Sequence, residues 1–114
     1  MSRNLVLGNG SMLIALDHRA RIKDMYFDYV GLEDHMTPES VCKIGVWVDG
    51  EMRWFQDESW EIDIKYVEES MVGDVVAWNK HLNIEIRIRD YVYNEKNIFI
   101  RSFTVKNLEN RERF

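Results

Sequence analysis

Apolar and polar residues alternate along several short stretches of this chain, and this alternation constrains the fold more than any other feature. Between Leu82 and Ile88 every second residue is apolar, and the residues between them are polar or charged. The same period of two runs from Trp60 to Tyr66. Successive side chains of a β-strand point to opposite faces of a sheet. Both stretches are therefore predicted to be half-buried strands.

The dipeptide Asp49-Gly50 predicts a β-hairpin over residues 41–54. It lies between two apolar runs, and Asp-Gly favours a two-residue type I′ turn because both central residues of that turn need positive φ. One face of the strand before the turn carries only apolar residues: Cys42, Ile44, Val46 and Val48. Cys42 is therefore predicted to be a buried, unreactive thiol.

Turn-forming sequences separate the apolar stretches at intervals of about eight to twelve residues, a rhythm typical of antiparallel sandwiches and barrels. It predicts an all-β antiparallel sandwich of about nine or ten short strands with little or no helix. Residues 98–106 form the last predicted strand, and the turn after it leads to no further strand in this sequence. We therefore expect a single partial sandwich domain over residues 1–114, which is a piece of something longer or pairs through its last strands with a second copy.

The bulk composition bounds the class of protein. The chain has 114 residues, of which 46% are hydrophobic and 31% charged, a composition typical of one small globular domain. Its net charge of −5 disfavours nucleic acid and anionic membranes as partners. No stretch has the features of a signal peptide, and none approaches the roughly 18 apolar residues of a spanning helix. We expect a soluble, cytoplasmic protein.

Motifs for catalysis, metals or cofactors are not recognisable in the sequence. The three histidines, His18, His35 and His81, do not have metal-ligand spacing to one another or to Cys42. The turn Gly8-Asn9-Gly10 lacks the Lys and the following helix of a phosphate-binding loop. The chain has 20 acidic residues, but the sequence singles out no pair for glycosidic chemistry. We therefore predict no catalytic residue, no metal and no cofactor in this chain.

Aromatic residues and one polar loop are the candidates for contact with a ligand or another domain. Trp60 and Trp78 are predicted to be core residues, whereas Trp47 and Trp54 could be core or could form a contact surface that stacks on sugars. In the loop over residues 26–40, two carboxylates precede His35 with tyrosines nearby. This loop could bind a sugar hydroxyl, pair with another domain or be solvated. The loop candidates are Tyr29, Gly31, Glu33, Asp34 and His35.

Six sequence motifs occur in a familiar order along the chain. They are L-V-L-G-N-G-S-M-L, I-K-D-M-Y-F-D-Y-V-G-L-E-D-H, G-V-W-V-D-G, W-E-I-D-I-K-Y, I-R-D-Y-V and I-R-S-F-T-V-K-N-L. In this combination they resemble the N-terminal β-sandwich domain of bacterial and archaeal glycoside hydrolase family 15, the glucoamylase, glucodextranase and trehalase group. The resemblance runs from about Leu5 to Asn110, and it implies the first half of the family's larger super-sandwich.

The resemblance implies a non-catalytic role. In that family a linker and an (α/α)6 barrel follow the sandwich, and the barrel carries the two catalytic glutamates; it is absent from this chain. The parent reaction would be inverting hydrolysis of α-glucosidic bonds with one general acid and one general base, and this chain alone would be inactive. The loop Tyr29 to His35 matches a family loop of G-x-E-N-H type expected to face the barrel, with Asp34 where Asn is common.

Three kinds of partner follow from these interpretations. The resemblance implies the catalytic barrel domain. A stand-alone carbohydrate-binding module using Trp47, Trp54 and the loop would instead bind an oligosaccharide. A structural half-domain would form a homodimer with a second copy of the chain.

Overall fold

The computed structural model describes residues 5–31, 33–36 and 42–114, and within them the chain forms nine strands and no helix. The strands are β1 (Leu5–Gly8), β2 (Leu13–Leu16), β3 (Ile22–Tyr26), β4 (Gly45–Val48), β5 (Glu51–Trp54), β6 (Trp60–Tyr66), β7 (Gly73–Asn79), β8 (Ile84–Val92) and β9 (Phe99–Asn107). The predicted all-β class and the number of strands are confirmed. The same part of the chain contains no helix with the length and apolar character that a membrane crossing requires.

Strands pair only with strands adjacent in sequence, within three separate sheets, and every pair is antiparallel. β1, β2 and β3 form a three-stranded sheet, β4 and β5 form a separate hairpin, and β6 to β9 form a four-stranded sheet in sequence order. Short turns can connect strands in this way because antiparallel neighbours need no crossover. At the hairpin turn, Asp49 and Gly50 have φ of 51° and 80°, as the Asp-Gly signal predicts.

The four-stranded sheet carries an apolar inner face on which the other two sheets pack. The hairpin and the turn after it cover one end, where Val48 and Phe55 join a buried cluster with Trp60, Ala77 and Ile86 of the large sheet. The three-stranded sheet covers the other end, and its buried residues form a second cluster with Val92 of β8. The molecule is therefore a two-layer sandwich whose second layer is made of two separate pieces.

The inner face is not covered along the second half of β9. Ile86 and Ile88 of β8 are buried, but their cross-strand partners on β9, Val105 and Phe103, are 62% and 49% exposed. All four side chains lie on the same face of the sheet, since directly opposite residues of an antiparallel pair point the same way. The sandwich therefore ends with apolar core positions open on its last strand.

Two predictions of burial are wrong. Cys42 is exposed, because the hairpin ladder begins at Gly45 and Cys42 precedes it; the first residue of the predicted hairpin, 41, lies outside the described residues. Trp60 is buried as predicted, but Trp78 is only half-buried. Trp78 stands on the opposite, polar face of the large sheet, directly across from Glu61 and Glu85.

Candidate functional site

The base of the polar loop is built by the carboxylate of Asp34. Its Oδ1 accepts hydrogen bonds from the backbone N–H groups of Met25 and Met36, each at 2.9 Å. Asp34 also forms an isolated antiparallel bridge with Tyr26, at the end of β3. This carboxylate therefore satisfies backbone donors and ties the returning loop to β3.

His35 continues this attachment. Its backbone N–H donates to the carbonyl oxygen of Met25 at 2.7 Å. Its ring Nε2 lies 3.1 Å from the carbonyl oxygen of Phe27, and the two rings stand 5.2 Å apart between centroids. An Nε2–H tautomer makes that contact a hydrogen bond, since a carbonyl oxygen can only accept. His35 thus joins Asp34 in the base of the loop.

The other three loop candidates lie at its exposed tip. Tyr29 is 70% exposed, and Gly31 and Glu33 are exposed as well. Gly31 has φ of 93°, a left-handed conformation that glycine adopts without strain. The structure therefore separates the loop into a bonded base and a tip that offers a phenol and a carboxylate to solvent. Residues 32 and 37–40 of the loop lie outside the described residues.

The outer face of the hairpin is an exposed apolar patch. Trp47 is 60% and Trp54 46% exposed, and Met52 between them is exposed too. A Cβ on Gly45 would lie 2.7 Å from Cε3 of Trp54, so the indole of Trp54 rests directly over the backbone of β4. We call Gly45, Trp47, Met52 and Trp54 the outer hairpin patch. Large apolar groups in this arrangement are typical of interaction surfaces.

A groove of about 640 Å³ lies between the hairpin and the open edge of the large sheet. Six consecutive residues, 43–48, form one wall, and the floor comes from the inner face of β8 and β9. The floor residues are Ile84, Ile86, Phe103 and Val105. Asn107 and Arg113 also line the groove. We call this groove the slot.

The C-terminal tail after β9 connects this strand to the hairpin turn. Arg111 and Arg113 donate to Oδ2 of Asp49 at 2.7 and 2.9 Å, and the Asp49 N–H donates to the carbonyl oxygen of Phe114 at 2.6 Å. The hydrogen bond from Arg113 and the nearby positive charges hold the pKa of Asp49 below its usual range, although desolvation opposes them. These contacts fix the hairpin relative to β9.

Asp90 is the one fully buried carboxylate of the large sheet within the described residues, and burial raises its pKa even though Arg101 opposes the shift. Buried acids with raised pKa values are common at catalytic sites. Here, however, Arg101 on β9 contacts both carboxylate oxygens, at 2.7 and 3.2 Å, and also donates to the carbonyl oxygen of Ala20. The pair therefore joins β8 and β9 to the turn between β2 and β3, which is a structural role.

Sequence reasoning missed this ion pair and the slot. The signal for the pair was available: in the alternation that makes Ile84, Ile86 and Ile88 face inward, position 90 also faces inward and carries a carboxylate. The slot had no local signal, because it depends on which parts of the inner face the hairpin covers. No group of three or more His, Cys, Asp or Glu suited to a metal occurs in the described part of the chain.

Comparison with known proteins points to a carbohydrate-active relative. The chain is 26% identical over 102 residues to a protein of Methanocaldococcus jannaschii named an uncharacterized glycosyl hydrolase. The alignment covers 90% of this chain and 16% of that protein, so the chain spans about a sixth of the relative's length. No family model matches the chain, and no solved structure matches it. The similarity supports a glycoside hydrolase relationship.

Proposed function

We propose that this chain is a non-catalytic N-terminal sandwich domain of a glycoside hydrolase of family 15 type, whose parent protein acts on α-glucosidic bonds. The observation that carries the proposal is the alignment, which takes in nearly all of this chain but only a sixth of a glycosyl hydrolase. The ordered motifs that resemble the family's sandwich support the same assignment. The catalytic barrel would lie in the remaining part of the parent protein.

Three buried carboxylates of the sheets and turns support a non-catalytic role. Glycoside hydrolysis uses two carboxyl groups on either side of a sugar. Asp90 is enclosed with Arg101, Asp74 is paired with Arg87 and Arg89 at 3.5 and 3.1 Å, and Asp17 is paired with Arg21 at 3.0 Å. These three buried carboxylates are held by arginines of the same chain, which supports placing both catalytic groups in the barrel.

A barrel would contact the exposed loop tip and the outer hairpin patch. The loop tip offers Tyr29 and Glu33, and the patch offers two indoles. Interdomain contacts of this kind combine aromatic anchors with a polar rim. The bonded base of the loop, Asp34 and His35, would hold the tip in place.

A domain exchange tests the proposal. The matching segment of the M. jannaschii protein is replaced by this chain, and the release of glucose from maltooligosaccharides is measured. We expect the chimaera to keep hydrolytic activity, the protein with the segment deleted to lose most of it, and this chain by itself to release no sugar. Release of glucose by the isolated chain would contradict the non-catalytic assignment.

A second candidate function is carbohydrate binding by the outer hairpin patch. It is favoured by the indole of Trp54, which lies over Gly45 with part of its surface open, and by the exposed Trp47 beside it. Aromatic rings can stack against the apolar faces of sugars. Titration with maltohexaose would then change the tryptophan fluorescence of the chain and not that of a Trp54→Ala variant. An unchanged emission spectrum up to millimolar sugar would exclude this function.

A further inference from the structure

The slot meets β4 at its backbone edge. A strand seen from one face exposes only every second side chain, because alternate residues point in opposite directions. The slot instead contacts all six residues from 43 to 48, which belong to both faces. It therefore lies beside β4, in the plane of the hairpin, where a neighbouring strand would pair.

The second edge of β4 has no partner strand in the described part of the chain. Within the described residues β4 pairs with β5 and with no other strand. The N–H and C=O groups along the other edge of such a strand are a template for pairing with an additional extended segment. The wall of the slot thus offers backbone N–H and C=O groups for hydrogen bonds, and the floor offers side chains for apolar contacts.

The floor of the slot is apolar and belongs to the inner face of the sandwich. Ile84 and Ile86 are largely covered, whereas Phe103 and Val105 are the open core positions on β9. A strand beside β4 would direct every second side chain towards this floor. Apolar residues at those alternate positions would remove Phe103 and Val105 from water, which stabilises the bound state.

We propose that the slot receives one extended polypeptide strand with apolar residues at alternate positions, which pairs with β4 and covers Phe103 and Val105. At about 3.4 Å per residue, the wall accommodates a strand of about six residues. The strand comes from the portion of the parent glycoside hydrolase that lies outside this chain, so its source rests on the proposed function. The M. jannaschii relative is long enough to contain such a strand outside the matched segment, since the match spans only 16% of the length of that protein.

A sugar fits the slot less well. Oligosaccharide sites need several polar groups that converge on hydroxyls, but the floor has none, and the polar side chains of the slot are Lys43, Asn107 and Arg113. Arg113 is already bonded to Asp49 at 2.9 Å. The backbone groups along the edge of β4 that pairs with no described strand would also remain unsatisfied by an apolar ligand or a helix.

The test uses nuclear magnetic resonance on the ¹⁵N-labelled chain with a synthetic peptide, acetyl-Thr-Val-Glu-Val-Thr-Ile-amide. We expect saturable shifts of amides in β4 and β9. The variant Val105→Glu places a charge on the floor and should weaken binding by about tenfold or more, as expected for an anchor position. The matched variant Thr104→Glu, one residue away on the opposite face of β9, should bind like the parent chain.

Two further peptides with the same side chains distinguish strand pairing from apolar adhesion. One is N-methylated at the odd-numbered residues and the other at the even-numbered residues. Because alternate N–H groups of a strand point to the same edge, each peptide lacks the hydrogen-bond donors of one edge. We expect the version that removes the donors facing β4 to fail to bind. Equal binding by both versions, or no saturable shift with the unmethylated peptide, would overturn the proposal.

Two other occupants would also overturn it. A concentration-dependent dimer that protects β4 and is not displaced by the peptide would mean that a second copy fills the slot. Shifts of the same amides with maltohexaose, and none with the peptide, would mean a sugar site. The peptide experiment does not depend on hydrolysis. An inert slot beside an active chimaera rejects this inference alone, and peptide binding beside an inactive chimaera rejects the proposed function alone.

Discussion

β8 and β9 are adjacent strands with the same alternation of side chains, and they differ in what covers them. The inward residues of β8 are buried beneath the hairpin and the three-stranded sheet. Among the inward positions of β9 opposite β8, Arg101 is largely covered and Phe99 packs against the second cluster, while Phe103 and Val105 are open. Alternation therefore identifies the face of a strand that can be buried, but not whether another layer reaches it. The coverage of each strand by another layer decides where this molecule can bind a partner.

The largest expected effect compares Ile86 with Val105, which face each other across β8 and β9. Ile86 is 3% exposed, so Ile86→Ala should lower the free energy of unfolding by about 3 kcal/mol through lost burial and a cavity. Val105→Ala removes a side chain that is mostly in water and should cost about 0.5 kcal/mol. Urea denaturation of both variants measures the difference. Equal losses would show that β9 is covered in solution.

Arg101 is one of the β9 positions that contact the other layer of the sandwich. Replacing it with Met leaves the carboxylate of Asp90 buried without its cation, and we expect a loss of stability of up to about 3 kcal/mol. The variant Arg101→Lys keeps the charge and should lose less. Thermal unfolding followed by circular dichroism measures both, and a fully stable Arg101→Met chain would contradict the structural role of the pair.

The pH dependence of Asp90 has a defined sign. Burial raises its pKa above the ordinary value of 3.8, so the folded state binds the proton more readily than the unfolded state. Relative to Asp90→Asn, the parent chain should therefore gain stability as the pH falls through this raised pKa towards 3.8. Asp49 should behave in the opposite way against Asp49→Asn, because Arg113 lowers its pKa and that stability is lost as the pH falls below 3.8. Urea titrations between pH 7 and pH 3 test both signs.

A smaller effect is expected in the loop, where the base is bonded and the tip is exposed. Asp34→Ala removes the acceptor for two backbone N–H groups and should cost about 2 kcal/mol. Asp34→Asn keeps a side-chain oxygen and should cost about 0.5 kcal/mol. Glu33→Gln at the exposed tip is the control and should leave the melting temperature unchanged. If Asp34→Ala is as stable as Glu33→Gln, the carboxylate does not hold the loop.

The smallest effect should come from the outer hairpin patch. Trp47→Ala removes an indole that is mostly exposed in the isolated chain, and we expect a loss of about 0.5 kcal/mol from its cross-strand contact with Met52. Val48→Ala, one residue away on the buried face, should cost more. A large loss for Trp47→Ala would mean that the patch is part of a folded contact in the isolated chain.

Much of the fold could be predicted from the sequence, because the signals are local. The alternation from Trp60 to Tyr66 and the Asp49-Gly50 turn each specify their own strand or hairpin. Burial could not be predicted in the same way. Cys42 follows the apolar pattern but precedes the ladder, and Trp78 lies on the polar face of β7. Both outcomes depend on pairing partners and layers far away in sequence.

The candidate site shows the same limit. The loop from Tyr29 to His35 was identified by its residue types, but its division into base and tip depends on two backbone donors, those of Met25 and Met36. The slot depends on how far the hairpin extends over the large sheet. The division of the loop and the position of the slot therefore both depend on residues that are distant in sequence.

Hydrogen exchange of individual backbone amides tests the central claim most directly, since it reports whether the edges of β4 and β9 are open. Amides of β8 should all exchange slowly, because β8 is paired on both sides. Along β9 and β4 we expect slow and fast amides to alternate, with the fast ones directed away from β8 and β5. Uniform protection along both strands in dilute solution would contradict an open sandwich edge, and with it the slot for an additional strand.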